Sequence, residues 1–197
     1  MLRAAAALLG SLCRTMGESL AGQLLLAAPN LADPNFARSV VLIGVHSSEG
    51  AMGLVLNRPS ELTVGEAVPE LEGAVAREEP LYLGGPVQTS AIVCLAEFLD
   101  PAGAGLLVLG RIGFPSRDTD LASLSDSTGR TRAFAGFAGW GEGQLEGEVS
   151  DGDWIAAAAL AEDVFTDSPA DLWSRALVRK GGSFALLARM PLDPSMN

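Results

Sequence analysis

Apolar residues in this chain gather in short unbroken runs rather than in one repeating stripe. That pattern predicts strands buried on both faces. Gln23–Ala28 is such a run, closed by Pro29, and reads as a buried strand. Ser39–Val45 is rich in β-branched residues and predicts a second. His46–Gly50 is a tight loop and Ala51–Asn57 the returning strand, so the pair forms a hairpin. Before it, Leu31–Phe36 is a turn whose chemistry comes from Asp33, Pro34 and Asn35.

Further along, Thr63 followed three residues later by Glu66 predicts a capping box and a helix running to about Val68. Glu72–Glu79 is an acidic, solvated connection. Leu81–Leu83 is a short strand leading into Gly84, Gly85 and Pro86. Ala91–Glu97, Leu106–Leu109, Arg111–Phe114 and Thr131–Ala138 read as strands. Arg117–Leu124 predicts a helix capped by Ser116, and Gly141–Val149 a short one. Trp154–Ala159 reads as a strand because Asp151 and Gly152 signal a turn before it. Pro169 opens a helix capped by Ser168; its apolar stripe is Leu172, Trp173, Ala176 and Leu177, and Gly181 stops it. Phe184–Ala188 reads as a last strand. Strands outnumber helices without strict alternation, so the fold class is α+β, a mixed β-sheet with helices packed around it. No repeat or low-complexity linker divides the chain. Its 197 residues suit one domain over 16–197.

Composition narrows the function classes. Apolar residues make up 48% of the chain, yet no run approaches the roughly 20 residues of a membrane span. The net charge of −11 repels a phosphate backbone unless the basic residues cluster. Their densest groupings are Arg130 with Arg132, and Arg175 with Arg179 and Lys180. The second group is either an anion patch or a cationic helix end. Two cysteines, Cys13 and Cys94, are too few for a disulfide framework. Cys94 reads as a buried thiol, and a reducing cytoplasm fits. Met1–Ser11 mimics a signal peptide but is interrupted by Gly10 and Ser11. Residues 1–15 therefore read as an N-terminal extension, or as the product of an upstream start codon with the true start at Met16.

The search for reactive machinery is mostly negative. His46 is the one histidine, so a His-based metal site lacks its second ligand. There is no G-x-S-x-G elbow and no Walker A sequence. No cofactor or metal is expected. His46 is either a general base or a ring that satisfies loop groups. Asn57, Arg58 and Pro59 close the hairpin; Arg58 could grip a carboxylate or phosphate, or the trio could simply end a strand. Gly84 and Gly85 permit a positive φ and close backbone approach, or an anion-binding nest. From Gly136 to Glu148, glycines flank Trp140 and a helix begins. Its N–H groups could hold an anion, but Glu142, Glu146 and Glu148 bring negative charge to the same place.

Several blocks in this order resemble the YqgE/AlgH family. They are Leu25–Pro29 with Asp33, Pro34, Phe36 and Arg38–Val41; His46 with Gly50–Gly53 and Asn57–Pro59; Gly84–Val87; and Gly136–Trp140 with Gly143–Glu146, Glu148 and Trp154. The resemblance spans Ala21 to Lys180. It implies an α+β fold with a mixed sheet and a smaller α/β subdomain, in bacterial cytoplasmic proteins, one branch of which is labelled a transcriptional regulator. Many relatives carry a histidine where Cys94 and Leu95 stand, so any two-histidine chemistry is in doubt here.

Two readings compete. In the first, the chain is a regulatory or binding protein that works through protein or small-ligand contacts, without touching nucleic acid. In the second, it is an enzyme or sensor for a small anionic metabolite. The residue set leans away from an enzyme. The candidate cluster comprises Arg38, His46, Asn57, Arg58, Gly84, Gly85, Trp140, Gln144 and Glu146. The second reading requires His46 within about 10 Å of Arg58 or Gly85.

Overall fold

The computed structural model describes residues 19–31 and 33–190. The extension over 1–15, the alternative start at Met16 and Cys13 lie outside the described residues. Ten strands carry the fold: β1 (Gln23–Ala27), β2 (Val40–Ser47), β3 (Gly50–Val55), β4 (Pro59–Thr63), β5 (Pro80–Leu83), β6 (Val87–Phe98), β7 (Ala104–Leu109), β8 (Ile112–Pro115), β9 (Thr128–Trp140) and β10 (Trp154–Ala158). The helices are α1 (Val64–Ala67), α2 (Leu124–Ser127), α3 (Gln144–Ser150), α4 (Ala161–Val164), α5 (Leu172–Lys180) and α6 (Phe184–Leu187). The strands form one curled, mostly antiparallel sheet in the order β10-β1-β2-β3-β9-β6-β8-β7, with β4 on β5 and β5 on β9. The β5–β9 pair is parallel, which makes the sheet mixed.

Burial on both faces explains the unbroken apolar runs. Along β1, Leu24 and Leu26 enter one core cluster while Leu25 and Ala27 enter another. In β2, Val40 and Leu42 side with the first, Val41 and Ile43 with the second. A strand wet on one face would alternate; these have no wet face. The first core is closed by α5, whose predicted stripe of Leu172, Trp173, Ala176 and Leu177 is buried. Trp173 donates its Nε1–H to the Ala27 carbonyl at 2.9 Å, so the indole enters the core with its polar group satisfied. The second core gathers Trp140, Leu145 and Trp154 beneath α3. A third cluster, around Val64, Leu71, Leu81, Cys94 and Leu124, packs the segment between β4 and β5 against the same sheet.

The capping box forms: the Glu66 carboxylate accepts the Thr63 N–H at 3.0 Å. That bond, with a second from the Thr63 hydroxyl, holds the Glu66 carboxyl below its ordinary value.

Four expectations change, and β4 is a strand the sequence does not predict. His46 lies inside β2, opposite Ala51, rather than in the loop. β4 carries Ser60, Glu61 and Thr63 with no apolar alternation; backbone pairing to β5 defines it. The helix expected over 117–124 begins only with a 3₁₀ turn at Leu121–Ser123. Asp118, Thr119 and Asp120 favour local backbone bonding over helix, and Asp120, not Ser116, caps by accepting the Ala122 N–H at 3.2 Å. Ser168 makes no side-chain cap; a 3₁₀ turn at Pro169–Asp171 leads into α5 instead. Phe184–Ala188 is not a strand but holds α6. Gly181 and Gly182, at φ +80° and +58°, turn the chain back so that Phe184 and Leu187, one helical turn apart, pack on the first core. Among the described residues no helix is long and apolar enough to cross a membrane.

Candidate functional site

The β2–β3 hairpin separates the candidate residues into two groups. His46 pairs with Ala51 near the tip, while Arg58 follows the far end of β3, where Val55 pairs with Val41. Ala51 to Val55 is four steps of extended strand, roughly 13 Å at about 3.3 Å per residue, and Arg58 follows beyond bends at Leu56 and Asn57. Gly84 sits at the Arg58 end, because its carbonyl accepts the Val55 N–H at 2.9 Å; that is roughly 13 Å along β3 from Ala51. His46 and Arg58 therefore stand toward opposite ends of β3.

At the tip, His46 is 8% exposed and its Nε2 lies 2.9 Å from Glu146 Oε1. Its Nδ1 accepts the Leu20 N–H at 3.0 Å. An accepting Nδ1 keeps its lone pair, so the proton of the neutral ring sits on Nε2 and is donated to Glu146. Both ring nitrogens are occupied, which leaves none to take a substrate proton. The Glu146 carboxyl is held below its ordinary value, first by its own backbone N–H at the start of α3, against slight burial, and then by His46.

Beside that pair, the helix start turns inward on aromatic rings. Trp140 and Trp154 both donate their indole N–H to Glu148 Oε2, each at 2.8 Å. Gln144 donates to the other oxygen, Oε1, at 2.8 Å, and its own carbonyl accepts the Gly141 N–H at 3.1 Å. Phe36 stacks on Trp140 and meets Trp154 edge-on, with centroids 6.4 and 5.5 Å away. The chain's own side chains thus close this polar network. Glu148 and Trp154 were not among the predicted site residues. Their signal in the sequence is the one-turn spacing of Gln144 and Glu148.

At the base of the hairpin, Gly84 bridges β3 and β9. Its N–H donates to Ala135 at 2.8 Å while its carbonyl serves Val55. A Cβ on Gly84 would stand 2.2 Å from the Gly136 carbonyl oxygen. Gly85, at φ +153°, would put one 2.2 Å from the Phe137 carbonyl carbon. The diglycine is there for close backbone approach. Asn57 also has a backbone role: its Oδ1 accepts the Val40 N–H at 2.9 Å and its Nδ2 donates to the Arg38 carbonyl at 3.0 Å. Arg38 holds φ +53°, and its guanidinium lies over Trp173 at 4.8 Å and donates to the Met190 carbonyl.

Arg58 differs from these. Its guanidinium donates to the Ala37 carbonyl at 3.1 Å and, among the described residues, has no carboxylate within 4.0 Å. Partial burial pulls its pKa down and the more distant Asp33 pulls it back up. It lines a cavity of about 220 Å³ with Asn35, Leu83, Gly85, Pro86 and Thr89. Of the nine predicted residues, this cavity brings together Arg58 and Gly85. Asn35 is presented by the predicted turn, its N–H donating to Asp33 Oδ1 at 2.8 Å. Cys94 stands apart: burial pushes its thiol up to about 12. Among the described residues no three His, Cys, Asp or Glu side chains gather to hold a metal ion.

A curled α+β sheet buried on both faces, with closed polar networks at one end and a small cationic cavity at the other, defines the class. The chain belongs to the AlgH-like family, whose model matches residues 24–185. A UPF0301 protein of Mycobacterium ulcerans is 42% identical over 182 residues, covering 90% of both chains. The crystal structure of a Corynebacterium diphtheriae protein, 29% identical, covers 95% of this chain and 100% of its own with a TM-score of 0.78. The solution structure of AlgH from Pseudomonas aeruginosa, 33% identical, covers 91% and 98% with a TM-score of 0.66.

Proposed function

We propose that this chain is a cytoplasmic binding protein that holds a small anion in the Arg58 cavity and transmits its occupancy through protein contacts, so that any effect on transcription is indirect. One observation carries the reading. Among the described residues Arg58 is a half-buried cation in a cavity, paired only to a carbonyl, whereas His46, Glu148 and Asn57 have their polar atoms engaged within the fold. An anion entering the cavity meets the guanidinium fork, the Thr89 hydroxyl and the Asn35 side chain. The volume suits inorganic phosphate, sulfate or a small dicarboxylate. A catalytic version of the same site needs a proton-transfer group within reach, and the hairpin carries His46 away from it.

The test is thermal shift and calorimetry of the wild-type chain and of R58Q against phosphate, sulfate, malonate and succinate. A ligand at about a hundred times its Kd stabilises the native state by about 2.7 kcal/mol. Wild type should show that rise with at least one of these anions, and R58Q should not. A panel without effect, or an equal rise in R58Q, sinks the reading.

A further inference from the structure

The Arg175, Arg179 and Lys180 group resolves unequally. Arg179 is taken up by the fully buried Asp163, at 2.9 and 2.6 Å, and Arg175 donates to the Thr166 hydroxyl at 3.2 Å. Lys180 has neither partner. Its ammonium donates to the Ala156 carbonyl at 2.7 Å and lies 4.9 Å over the Phe184 ring. An ammonium has three donors, and among the described residues no carboxylate stands within 4.0 Å of it.

Among the described residues Lys180 is the one charged residue lining a second cavity, of about 630 Å³, between the outer edge of β10 and α6. Its walls are otherwise largely apolar and include Pro29, Trp154, Ile155, Phe184 and Leu187. Small-molecule sites run from about 300 to 1,000 Å³, apolar with a few placed polar groups. This cavity falls in that range; the Arg58 cavity does not. The Gly181–Gly182 turn builds it, by folding α6 back so that Phe184 stands against Lys180.

We propose that this second cavity binds an amphipathic monoanion, a small molecule with an apolar chain or ring and a single acidic head. The head pairs with Lys180 at the rim. The body lies against Trp154, Phe184 and Leu187. Charge complementarity selects the acid: a neutral amphiphile would gain the apolar contact but leave the ammonium bonded to one carbonyl. The site is independent of the Arg58 cavity, so either can fail without the other.

The experiment uses the full chain and 8-anilinonaphthalene-1-sulfonate, itself an apolar ring system with one acidic head. Dye emission is read by energy transfer from tryptophan, and bound dye is displaced with decanoate or with decanol. The expected result is saturable binding at one site, displaced by decanoate at lower concentration than by decanol. K180Q should raise the decanoate concentration needed by roughly three- to tenfold and leave decanol unchanged. L187E should abolish dye binding, with circular dichroism confirming the fold; the exposed Lys180 variant keeps the test decisive if L187E does not fold. No saturable binding by the full chain, or an equal shift for decanoate and decanol in K180Q, overturns the proposal.

Discussion

Glu148 shows how much one side chain can organise. Its carboxylate accepts both indole N–H groups and the Gln144 amide, so removing it leaves two partly buried donors without acceptors. E148A should destabilise the chain by about 2–3 kcal/mol, read as a lower urea midpoint with red-shifted tryptophan emission; E148Q, which keeps an acceptor, should lose less. A wild-type midpoint in E148A would show that the network carries no stability. The sequence marks the segment but not the residue. Glu142, Glu146 and Glu148 look alike until β10 returns Trp154 beside α3, and that return is long-range. Cys94 was readable from its apolar neighbours alone, and its burial has a pH consequence. An unfolded thiol ionises near 8.5, whereas the folded one is pushed up to about 12. The unfolded state therefore holds fewer protons above that lower value, and stability falls as pH rises between the two. At pH 9.5 the wild type should lose about 1 kcal/mol more, relative to pH 7, than C94A does; equal losses would mean that the thiol ionises in place.

At the scale of elements, legibility followed the kind of force that defines each one. Strands β1, β2 and β3 are defined by burial on both faces, and burial writes itself into residue type; so is the α5 stripe. β4 is defined by main-chain pairing to β5, which leaves no mark on Ser60 or Glu61, and it was missed. Phe184–Ala188 is a short apolar run that either period accommodates. The choice was made by Gly181 and Gly182, whose left-handed φ values fold the run back onto α5. The hairpin itself was foreseen, but its length was not. Two extra ladder residues placed His46 in β2 and set it one hairpin-length from Arg58. Sequence order had put those two residues in one motif block. Only the strand between them, with its fixed rise per residue, shows that they stand toward opposite ends of the hairpin.

For the whole molecule, the question is what face a chain of net charge −11 would turn to a nucleic acid. The basic residues answer it by dispersal. Arg77 pairs with Glu72, Arg130 with Glu97 and Arg179 with Asp163. Arg132 is buried, donating to the Val164 and Thr166 carbonyls at 2.7 and 3.0 Å. Among the described residues Arg38, Arg58, Arg111, Arg117, Arg175, Lys180 and Arg189 have no carboxylate within 4.0 Å and stand as separate positive points within an acidic field. A small anion brings one or two charges to such a point and gains a desolvated contact. A duplex brings a charge every 1.7 Å or so and meets the whole field. Random duplex DNA should accordingly show no retention in a gel shift at 20 mM salt, even at roughly 100 µM protein, where ordinary non-specific binders are already engaged. Retention that fades linearly with the logarithm of salt would reveal a basic face. It would also replace indirect action with direct contact. Lowering the salt should strengthen repulsion of the duplex and spare the monoanion, because repulsion grows with the charge carried while the contact at Arg58 or Lys180 stays the same.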